Sequence, residues 1–412
     1  MMDGATLTTA TAPWITIIGI GEDGLAGLGT EARAEVAAAE LLIGGDRHLA
    51  MLPDDDARPR LAWPSPLKDL RPAIEAARGR RLVVLASGDP FCWGVGTTLA
   101  RWFGADALCV HPAPSAASLV CARLGWPLPE VRIITLHGRP LALLDRHLQP
   151  GARLVIYTDD GAAPAAIAAR LAERGFGASP MVVLECLGGP REALRRGTAG
   201  DWDPRPAADL NTVAVELVAA PATDWLPTLA GLDDDAFDHD GQLTKREVRA
   251  ITLARLMPAP GALLWDLGTG NGSVAIEWLR AEPTARAIGI EQRPDRLDRA
   301  RANALRLGVP GLTLIEGHLP EALAGLPVPD AIFLGGAVAQ AGLIDHLVTL
   351  LPPGGRLVAN AVTLSGEAAL IEVQARHGGD LTRIQIARAE PVGPHLGWRA
   401  AMPVTQWAWR RA

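Results

Sequence analysis

The chain has 412 residues, 49% of them hydrophobic, which is enough to bury the cores of two or three domains. Its formal net charge of −7 argues against a nucleic acid or an anionic membrane surface as the main partner. No uncharged apolar run of 18 residues occurs, and residues 1–13 lack the layout of a signal peptide. The four cysteines form no C-x-x-C pair. These features predict a soluble cytoplasmic protein with reduced thiols.

Short apolar runs alternate with Ala-, Leu- and Arg-rich stretches in the first half, which predicts an α/β fold with parallel sheets. The predicted strands are 15–19, 81–86, 107–110, 131–136, 153–157, 181–185 and 212–218. The predicted helices include 28–39, 95–103, 115–124 and 164–174. Together they predict a domain over residues 14–218. A His-Pro-Ala-Pro break at 111–114 divides this domain into two lobes.

The first predicted strand ends in a glycine-rich turn, Gly-Ile-Gly-Glu-Asp-Gly at 19–24. These letters satisfy the dinucleotide pattern G-x-G-x-x-G, so an NAD-dependent oxidoreductase is one alternative. Glu22 and Asp23 argue against it, because they place two carboxylates where a pyrophosphate would have to bind. A cationic sulfonium cofactor or a substrate group is a better neighbour for this turn.

Residues 219–240 are predicted to form a linker, because Pro, Asp and Gly cluster there. Five aspartates fall within residues 233–240. They lack the spacing of a Ca²⁺ loop, so the run is interpreted as a solvated or helix-capping segment.

The remaining residues, 241–412, predict a doubly wound, Rossmann-like domain. Its predicted strands are 263–267, 286–290, 312–316, 330–334, 355–361 and 382–388.

Residues 268–272, Gly-Thr-Gly-Asn-Gly, follow the first of these strands. Backbone amides in such a turn can approach a ligand closely. Glu291 closes the next strand, where its carboxylate can accept hydrogen bonds from both hydroxyls of a ribose. Residues 270–275 also fit the dinucleotide pattern G-x-G-x-x-A. Asp266 suits the amino group of a methionine tail better than a pyrophosphate, which favours S-adenosyl-L-methionine over NAD.

Four further segments accompany this turn: 243–249 (Leu-Thr-Lys-Arg-Glu-Val-Arg), 317–323, 330–336 and 353–364. With the turn, they give residues 238–412 a clear similarity to a known family. This part of the chain resembles the precorrin C-15 methyltransferases (decarboxylating) of corrin-ring biosynthesis. Two positions depart from the family pattern: Leu319 replaces a small residue, and Ser365 stands where a Glu is common.

The resemblance implies a class I methyltransferase domain that binds S-adenosyl-L-methionine. The residues that it assigns to the cofactor, together with Asp266, are Thr244, Gly268, Thr269, Gly270, Asn271, Gly272, Glu291, Gly317 and Leu319.

Residues 14–218 resemble the tetrapyrrole methylase family, whose members hold the same cofactor between two α/β lobes. The matching segments are 14–25, 42–45, 86–90 (Ala-Ser-Gly-Asp-Pro), 112–117 and 135–140. The resemblance assigns the cofactor to the Gly-Asp-Pro loop and later segments, and it places the first glycine turn on the substrate side. The implied cofactor residues are Gly88, Asp89, Ser115, Ala116 and Ala117, and the implied substrate residue is Gly21.

The two resemblances, in this order, imply a bifunctional enzyme of cobalamin biosynthesis with two S-adenosyl-L-methionine sites. The N-terminal domain would methylate a precorrin at C-5, and the C-terminal domain would methylate C-15 and decarboxylate the C-12 acetate. The resemblance also implies a homo-oligomer. Methylation of RNA or protein, and a binding module with one inactive site, are the alternatives.

A precorrin bears several carboxylates, which predicts basic residues around it. Lys245, Arg246 and Arg249 are the candidates, and a solvated helix face is an equally good interpretation of them. No metal is expected, because the histidines show no paired ligand spacing. The sequence identifies no catalytic residue.

Overall fold

The computed structural model describes residues 13–412. The prediction about a signal peptide therefore falls almost wholly outside the described residues. Two compact units are present. The first runs to Arg139 and includes Pro150–Thr223, and the second comprises Pro140–Gln149 and Asp224–Ala412. None of the helices within residues 13–412 has the length and apolarity needed to span a bilayer.

From residue 13 onward, the first unit contains ten strands and six α-helices. Its strands are β1 Ile15–Ile20, β2 Leu41–Gly44, β3 Arg60–Ala62, β4 Leu82–Ser87, β5 Leu108–His111, β6 Val131–Thr135, β7 Arg153–Tyr157, β8 Pro180–Glu185, β9 Ala193–Thr198 and β10 Asn211–Glu216. Its helices are α1 Thr30–Ala38, α2 Asp46–Leu49, α3 Arg71–Ala76, α4 Gly96–Phe103, α5 Ala116–Leu124 and α6 Ala163–Glu173.

These strands form two five-stranded sheets. The first has the order β3-β2-β4-β1-β5 and is parallel throughout. The second has the order β6-β7-β10-β8-β9, and only β6 and β7 run parallel. The expectation of parallel sheets is therefore wrong for the second sheet. Alternation of apolar runs does not reveal strand direction. The direction depends on whether the segment between two strands crosses over the sheet or turns back beside the first strand.

The second unit contains nine strands and five α-helices. Its strands are β11 Leu263–Leu267, β12 Arg286–Glu291, β13 Thr313–Glu316, β14 Ala331–Leu334, β15 Arg356–Ala361, β16 Asp380–Ile384, β17 Ala387–Val392, β18 His395–Ala400 and β19 Val404–Arg410. Its helices are α7 Arg246–Leu256, α8 Ser273–Ala281, α9 Pro294–Arg306, α10 Leu343–Leu350 and α11 Leu364–His377.

Seven of these strands form one sheet in the order β13-β12-β11-β14-β15-β19-β16. The five strands from β13 to β15 are parallel, and every residue of β11 is buried because helices cover both faces. The chain order reverses at β11, which has β12 on one side and β14 on the other. The carboxyl edge beside β11 is therefore the place where a doubly wound sheet binds its ligand.

The end of the chain differs from the prediction of a strand over 382–388. The structure has β16 ending at Ile384, followed by a two-stranded hairpin of β17 and β18. β19 then inserts antiparallel between β15 and β16. The sequence of 382–388 shows no break at the point where β16 ends and β17 begins, although these two strands belong to different sheets.

The predicted linker, 219–240, is not a solvated segment in its second half. Leu232 and Phe237 are 2% and 3% exposed and belong to the core of the second unit. The Asp234 Oδ1 atom accepts a hydrogen bond of 2.9 Å from the backbone N–H of Arg246, the first residue of α7. The acidic run therefore caps a helix, as one of the two interpretations had it.

Residues 140–149 also belong to the second unit, although they lie far from it in sequence. Arg146 is buried, and its Nη2 atom donates to the carbonyl oxygens of Leu279 and Arg280, at 2.7 and 3.1 Å. These carbonyls lie in the last turn of α8 and have no partner within their own helix. The arginine caps that helix end with a positive charge.

Candidate active sites

A cavity of about 730 Å³ opens at the carboxyl edge of the seven-stranded sheet. The turn after β11 forms one wall. Gly268, Gly270 and Gly272 have φ angles of 71°, 56° and 86°, a left-handed conformation that favours glycine. A Cβ at Gly270 would meet no atom within 4 Å. The backbone of this turn therefore borders open space.

Glu291 stands beside this turn and is held by three backbone amides. Its Oε2 atom accepts from Gly270 N at 3.1 Å, and its Oε1 atom accepts from Gln292 N and Arg293 N at 3.0 and 3.1 Å. The residue is 6% exposed and lines the cavity. A carboxylate has about four acceptor positions, so Glu291 can accept further hydrogen bonds from a ligand.

Asp266 lies beneath the turn and does not line the cavity, which corrects the prediction that it contacts the cofactor. Its Oδ2 atom accepts from Thr269 Oγ1 and Ala275 N, at 2.8 and 3.0 Å. Its Oδ1 atom is buried without a hydrogen-bond partner among the described residues. Burial raises the pKa of this carboxyl from 3.8 to about 6. The residue holds the turn to the start of α8.

Most of the residues predicted for the C-terminal site do meet around this cavity. They are Thr244, Lys245, Gly268, Thr269, Gly270, Asn271, Glu291, Gly317 and Leu319. Gly272 does not line it, because it is the N-cap residue of α8 and packs against Ala300 and Ile276.

The structure excludes Arg249 from the substrate-binding residues. Its side chain is 0% exposed, and its Nε atom donates to Glu277 Oε1 at 2.6 Å. Its Nη2 atom donates to the carbonyl oxygen of Leu232. Arg246 does not line the cavity either and forms an ion pair with Asp233. Helical periodicity points Arg249 towards the core, which the spacing of basic residues alone did not reveal.

Several cavity residues escaped the sequence analysis. Asn360 lies in a buried network, where its Nδ2 donates to Thr252 Oγ1 at 3.0 Å and its Oδ1 accepts from Gln406 Nε2 at 3.0 Å. Arg388 and Arg399 reach the cavity from the β17–β18 hairpin. Arg296, in α9, also lines the cavity, and it pairs with Asp240 at 2.8 Å. Only the fold brings these distant positions together.

The first unit has its own cavity of about 530 Å³, lined by residues from both of its sheets. Five predicted residues line it: Gly21, Gly88, Asp89, Ser115 and Ala116. Ala117 does not, because it is fully buried in α5 and its N–H donates to Tyr157 Oη at 3.2 Å. Ser115 caps α5 by accepting from Ser118 N at 3.1 Å.

The first glycine turn packs directly against the Gly-Asp-Pro loop. A Cβ at Gly19 would lie 2.0 Å from the carbonyl oxygen of Gly88 and 2.5 Å from Ala113 N. That carbonyl accepts a hydrogen bond from Ala113 N at 3.2 Å. Gly19 is therefore needed for close packing of the loops around the cavity.

One of the two acidic residues of the first turn, Glu22, is compensated by positive charge. Glu22 lines the cavity and forms ion pairs with Arg47 and with Arg191. Arg47 also donates to Ser87 Oγ at 2.8 Å. The sequence shows Glu22 only as a negative charge, and the fold neutralises it with arginines from elsewhere in the chain.

His48 and Tyr157 add titratable groups to this cavity that the sequence did not single out. The His48 Nε2 atom lies 3.0 Å from Ser87 Oγ, and burial lowers the pKa of this imidazole to about 4. Tyr157 Oη lies 3.2 Å from Cys92 Sγ, and burial raises the pKa of the phenol. Both side chains are therefore neutral near pH 7. Within residues 13–412, no group of three or more His, Cys, Asp or Glu residues is placed to hold a metal.

Comparison with known proteins assigns each half of the chain to a family model. Residues 15–203 match the tetrapyrrole (corrin/porphyrin) methylases, and residues 235–411 match a precorrin methyltransferase domain. The folds, the two glycine-lined cavities and these matches define a methyltransferase with a tetrapyrrole methylase domain and a class I methyltransferase domain.

Two curated relatives extend over the whole chain. The precorrin-6Y C(5,15)-methyltransferase [decarboxylating] of Sinorhizobium sp is 50% identical over 400 residues, which cover 97% of each chain. The protein of the same name from Mycobacterium tuberculosis is 41% identical, covering 96% of this chain and 99% of its own. The chain belongs to the family of precorrin-6Y C(5,15)-methyltransferases (decarboxylating). A solved C-terminal domain of this name from Rhodobacter capsulatus is 49% identical, covers 45% of this chain and 100% of its own, and has a TM-score of 0.43.

Proposed function

We propose that this enzyme methylates a precorrin at C-5 in its N-terminal unit and at C-15 in its C-terminal unit, where the C-12 acetate is also decarboxylated. The observation that carries the proposal is the presence of two cavities, each lined by residues of one unit. Each cavity is bordered by the glycine loops of its own fold. Each unit would hold its own S-adenosyl-L-methionine.

The C-terminal cavity suits this cofactor in shape and charge. The open space at Gly270 lets a ligand approach the backbone of the turn. Glu291 would accept hydrogen bonds from ribose hydroxyls, and Gly317 and Leu319 line the same space. Thr244 and Lys245 border it from the start of α7. Asp266 would act indirectly by fixing the turn.

In the N-terminal cavity, the cofactor would lie against Gly88, Asp89, Ser115 and Ala116, with Gly21 on the substrate side.

When bound, S-adenosyl-L-methionine supplies an electrophilic methyl group on a sulfonium. The protein has to align the accepting carbon with that methyl group and exclude water. A precorrin supplies an electron-rich, enamine-like carbon, so no strong protein base is required. The same conjugated ring can accept the electron pair released when CO₂ leaves.

Substrate carboxylates require cations near each cavity. Lys245 lines the C-terminal cavity and keeps this role, and Arg296, Arg388 and Arg399 line the same cavity as further candidates. Arg249 and Arg246 do not line the cavity, because they pair with Glu277 and Asp233 instead. A homo-oligomer remains part of the proposal on the basis of family resemblance.

Calorimetric titration of the intact chain with S-adenosylhomocysteine tests the two-site proposal. We expect two molecules to bind per chain, and NAD to show no binding in a parallel titration. Glu291→Ala should reduce the stoichiometry to one. Glu316→Ala is a matched control, because Glu316 is the exposed partner of Glu291 on the adjacent strand, and it should still bind two. One molecule per wild-type chain would contradict the two-site proposal, and binding of NAD alone would contradict the methyltransferase function.

A further inference from the structure

We propose that Trp93 and Arg139 form a subsite of the N-terminal cavity that holds the tetrapyrrole by stacking on its ring and pairing with one of its carboxylates. This inference rests on the proposed function and names the residues that would select the substrate at C-5. Both side chains line the cavity. The Arg139 guanidinium carbon lies 4.9 Å from the centre of the Trp93 ring.

The Trp93 side chain lines the cavity and is about half exposed. Its side chain belongs to the loop between β4 and α4, and the residue is 53% exposed. Buried tryptophans of this chain, such as Trp278 and Trp407, are at most 1% exposed and serve the core of the second unit. A large ring left half exposed on a cavity wall offers a flat apolar surface to a ligand.

The backbone holds Trp93 in a conformation that bulky residues avoid. Its φ angle is 59°, in the left-handed region, which costs free energy for any residue with a Cβ. Hydrogen bonds on both sides fix the loop: Phe91 N donates to Asp89 Oδ1 at 2.8 Å, and Gly96 N donates to the carbonyl oxygen of Pro90 at 2.9 Å. A tryptophan that stays half exposed at this position needs a reason other than core packing to occupy it.

Arg139 is the cation of this cavity that is available to a ligand. Arg47 is paired with Glu22, and His137 lies 2.9 Å from Asp159 Oδ1. Arg139 is exposed and has no carboxylate partner within residues 13–412. Its backbone is anchored, because its N–H donates to the carbonyl oxygen of Leu136 at 2.9 Å. An anchored, exposed arginine is suited to bidentate binding of a carboxylate.

The two side chains together indicate one ligand chemistry. A flat conjugated ring stacks on an indole, and the guanidinium reaches carboxylates on its periphery. A carboxylate-bearing tetrapyrrole has both features, whereas a nucleotide would bring its phosphates into a cavity that Asp89 also lines. Phe91 is 47% exposed in the same loop but does not line the cavity, so it provides a matched control for aromatic exposure alone.

The test measures methyl incorporation at C-5 and C-15 separately, by NMR with ¹³C-methyl-labelled S-adenosyl-L-methionine, as the precorrin-6Y concentration is varied. The intact-chain variants are Trp93→Gly, Trp93→Phe, Arg139→Gln, Arg139→Lys and Phe91→Ala. We expect Trp93→Gly and Arg139→Gln to raise the KM for C-5 methylation about tenfold, since aromatic stacking and a charged hydrogen bond are each of that size. Trp93→Phe and Arg139→Lys should retain part of the affinity, and Phe91→Ala should match the wild type.

Three further readouts separate substrate binding from a structural role. C-15 methylation on the same chain and affinity for S-adenosylhomocysteine should not change. The melting temperature of Trp93→Gly should not fall, because glycine tolerates the left-handed φ angle. A wild-type KM at C-5 in both Trp93→Gly and Arg139→Gln would overturn the subsite, as would an equal loss at C-5 and C-15. If the wild-type chain does not methylate C-5 at all, the proposed function itself fails and the subsite falls with it.

Discussion

At the scale of single residues, the structure distinguishes side chains that line a cavity from side chains that only support the structure around it. Glu291 lines its cavity, whereas Asp266 supports the same turn from below and Arg249 lies in the core. The three residues look alike in the sequence, as charged groups close to a glycine motif. Their exposure and their partners give them different roles, which lead to two predictions.

Replacing Arg249 tests its structural role. Arg249→Met should destabilise the C-terminal unit by about 3–5 kcal/mol, because Glu277 would remain buried without its cation. Arg246→Met is the matched control on the same helix. Its exposed pair with Asp233 should be worth at most about 1 kcal/mol. Urea unfolding measures both, and a higher KM for precorrin without loss of stability in Arg249→Met would restore the substrate role.

Asp266 makes stability depend on pH. Its folded-state pKa is about 6 against 3.8 for the free residue, so the protonated form is favoured in the folded state. The resulting stabilisation is complete below about pH 4 and is lost as pH rises through 6. Asp266→Asn removes this ionisation. Relative to the wild type, the variant should gain about 3 kcal/mol in unfolding free energy between about pH 4 and pH 7.5. A difference that is constant across this range would contradict the assignment.

At the scale of elements, strand-to-helix turns decide where each cavity lies. The turn after β11 borders its cavity through open backbone at Gly270, whereas Gly19, near the end of β1, packs against the Gly-Asp-Pro loop. Both turns are glycine-rich, yet the glycines serve different needs. In one turn they leave room for a ligand, and in the other they leave room for a second loop.

A methyl group at Gly19 should therefore disrupt the first site. Gly19→Ala places a Cβ 2.0 Å from the carbonyl oxygen of Gly88, and the loop must move to relieve the clash. A displacement of about 1 Å is enough to lower the rate of C-5 methylation about a hundredfold. C-15 methylation should persist. Gly29→Ala, where a Cβ meets no atom within 4 Å, is the control and should keep most of the C-5 activity.

At the scale of the whole molecule, the chain is two compact units, each with its own sheet system and its own cavity. No residue of the first unit lines the cavity of the second among the positions 13–412, and the converse also holds. The boundary is not a simple cut, because residues 140–149 belong to the second unit and Arg146 caps its helix α8.

Separate cavities predict that two inactive variants complement each other. Gly19→Ala should fail at C-5, and Glu291→Ala should fail at C-15. An equimolar mixture should form the doubly methylated, decarboxylated product, because the intermediate released by one chain can enter the intact cavity of another. Product analysis by mass spectrometry measures this. Absence of the final product, with each variant retaining its remaining activity, would show that the intermediate does not transfer between chains.

The sequence by itself determined the two α/β domains, their order and a number of the residues around each cavity. Strand-to-helix turns such as 268–272 owe their position to local pattern, and local pattern is visible in a linear chain. Only the tertiary structure decided which charges are free. Arg249 forms a buried ion pair with Glu277, and Arg47 neutralises Glu22. Arg139, in contrast, is exposed beside Trp93. These pairings join positions distant in the chain, and burial and charge compensation depend on spatial neighbours that no local pattern encodes.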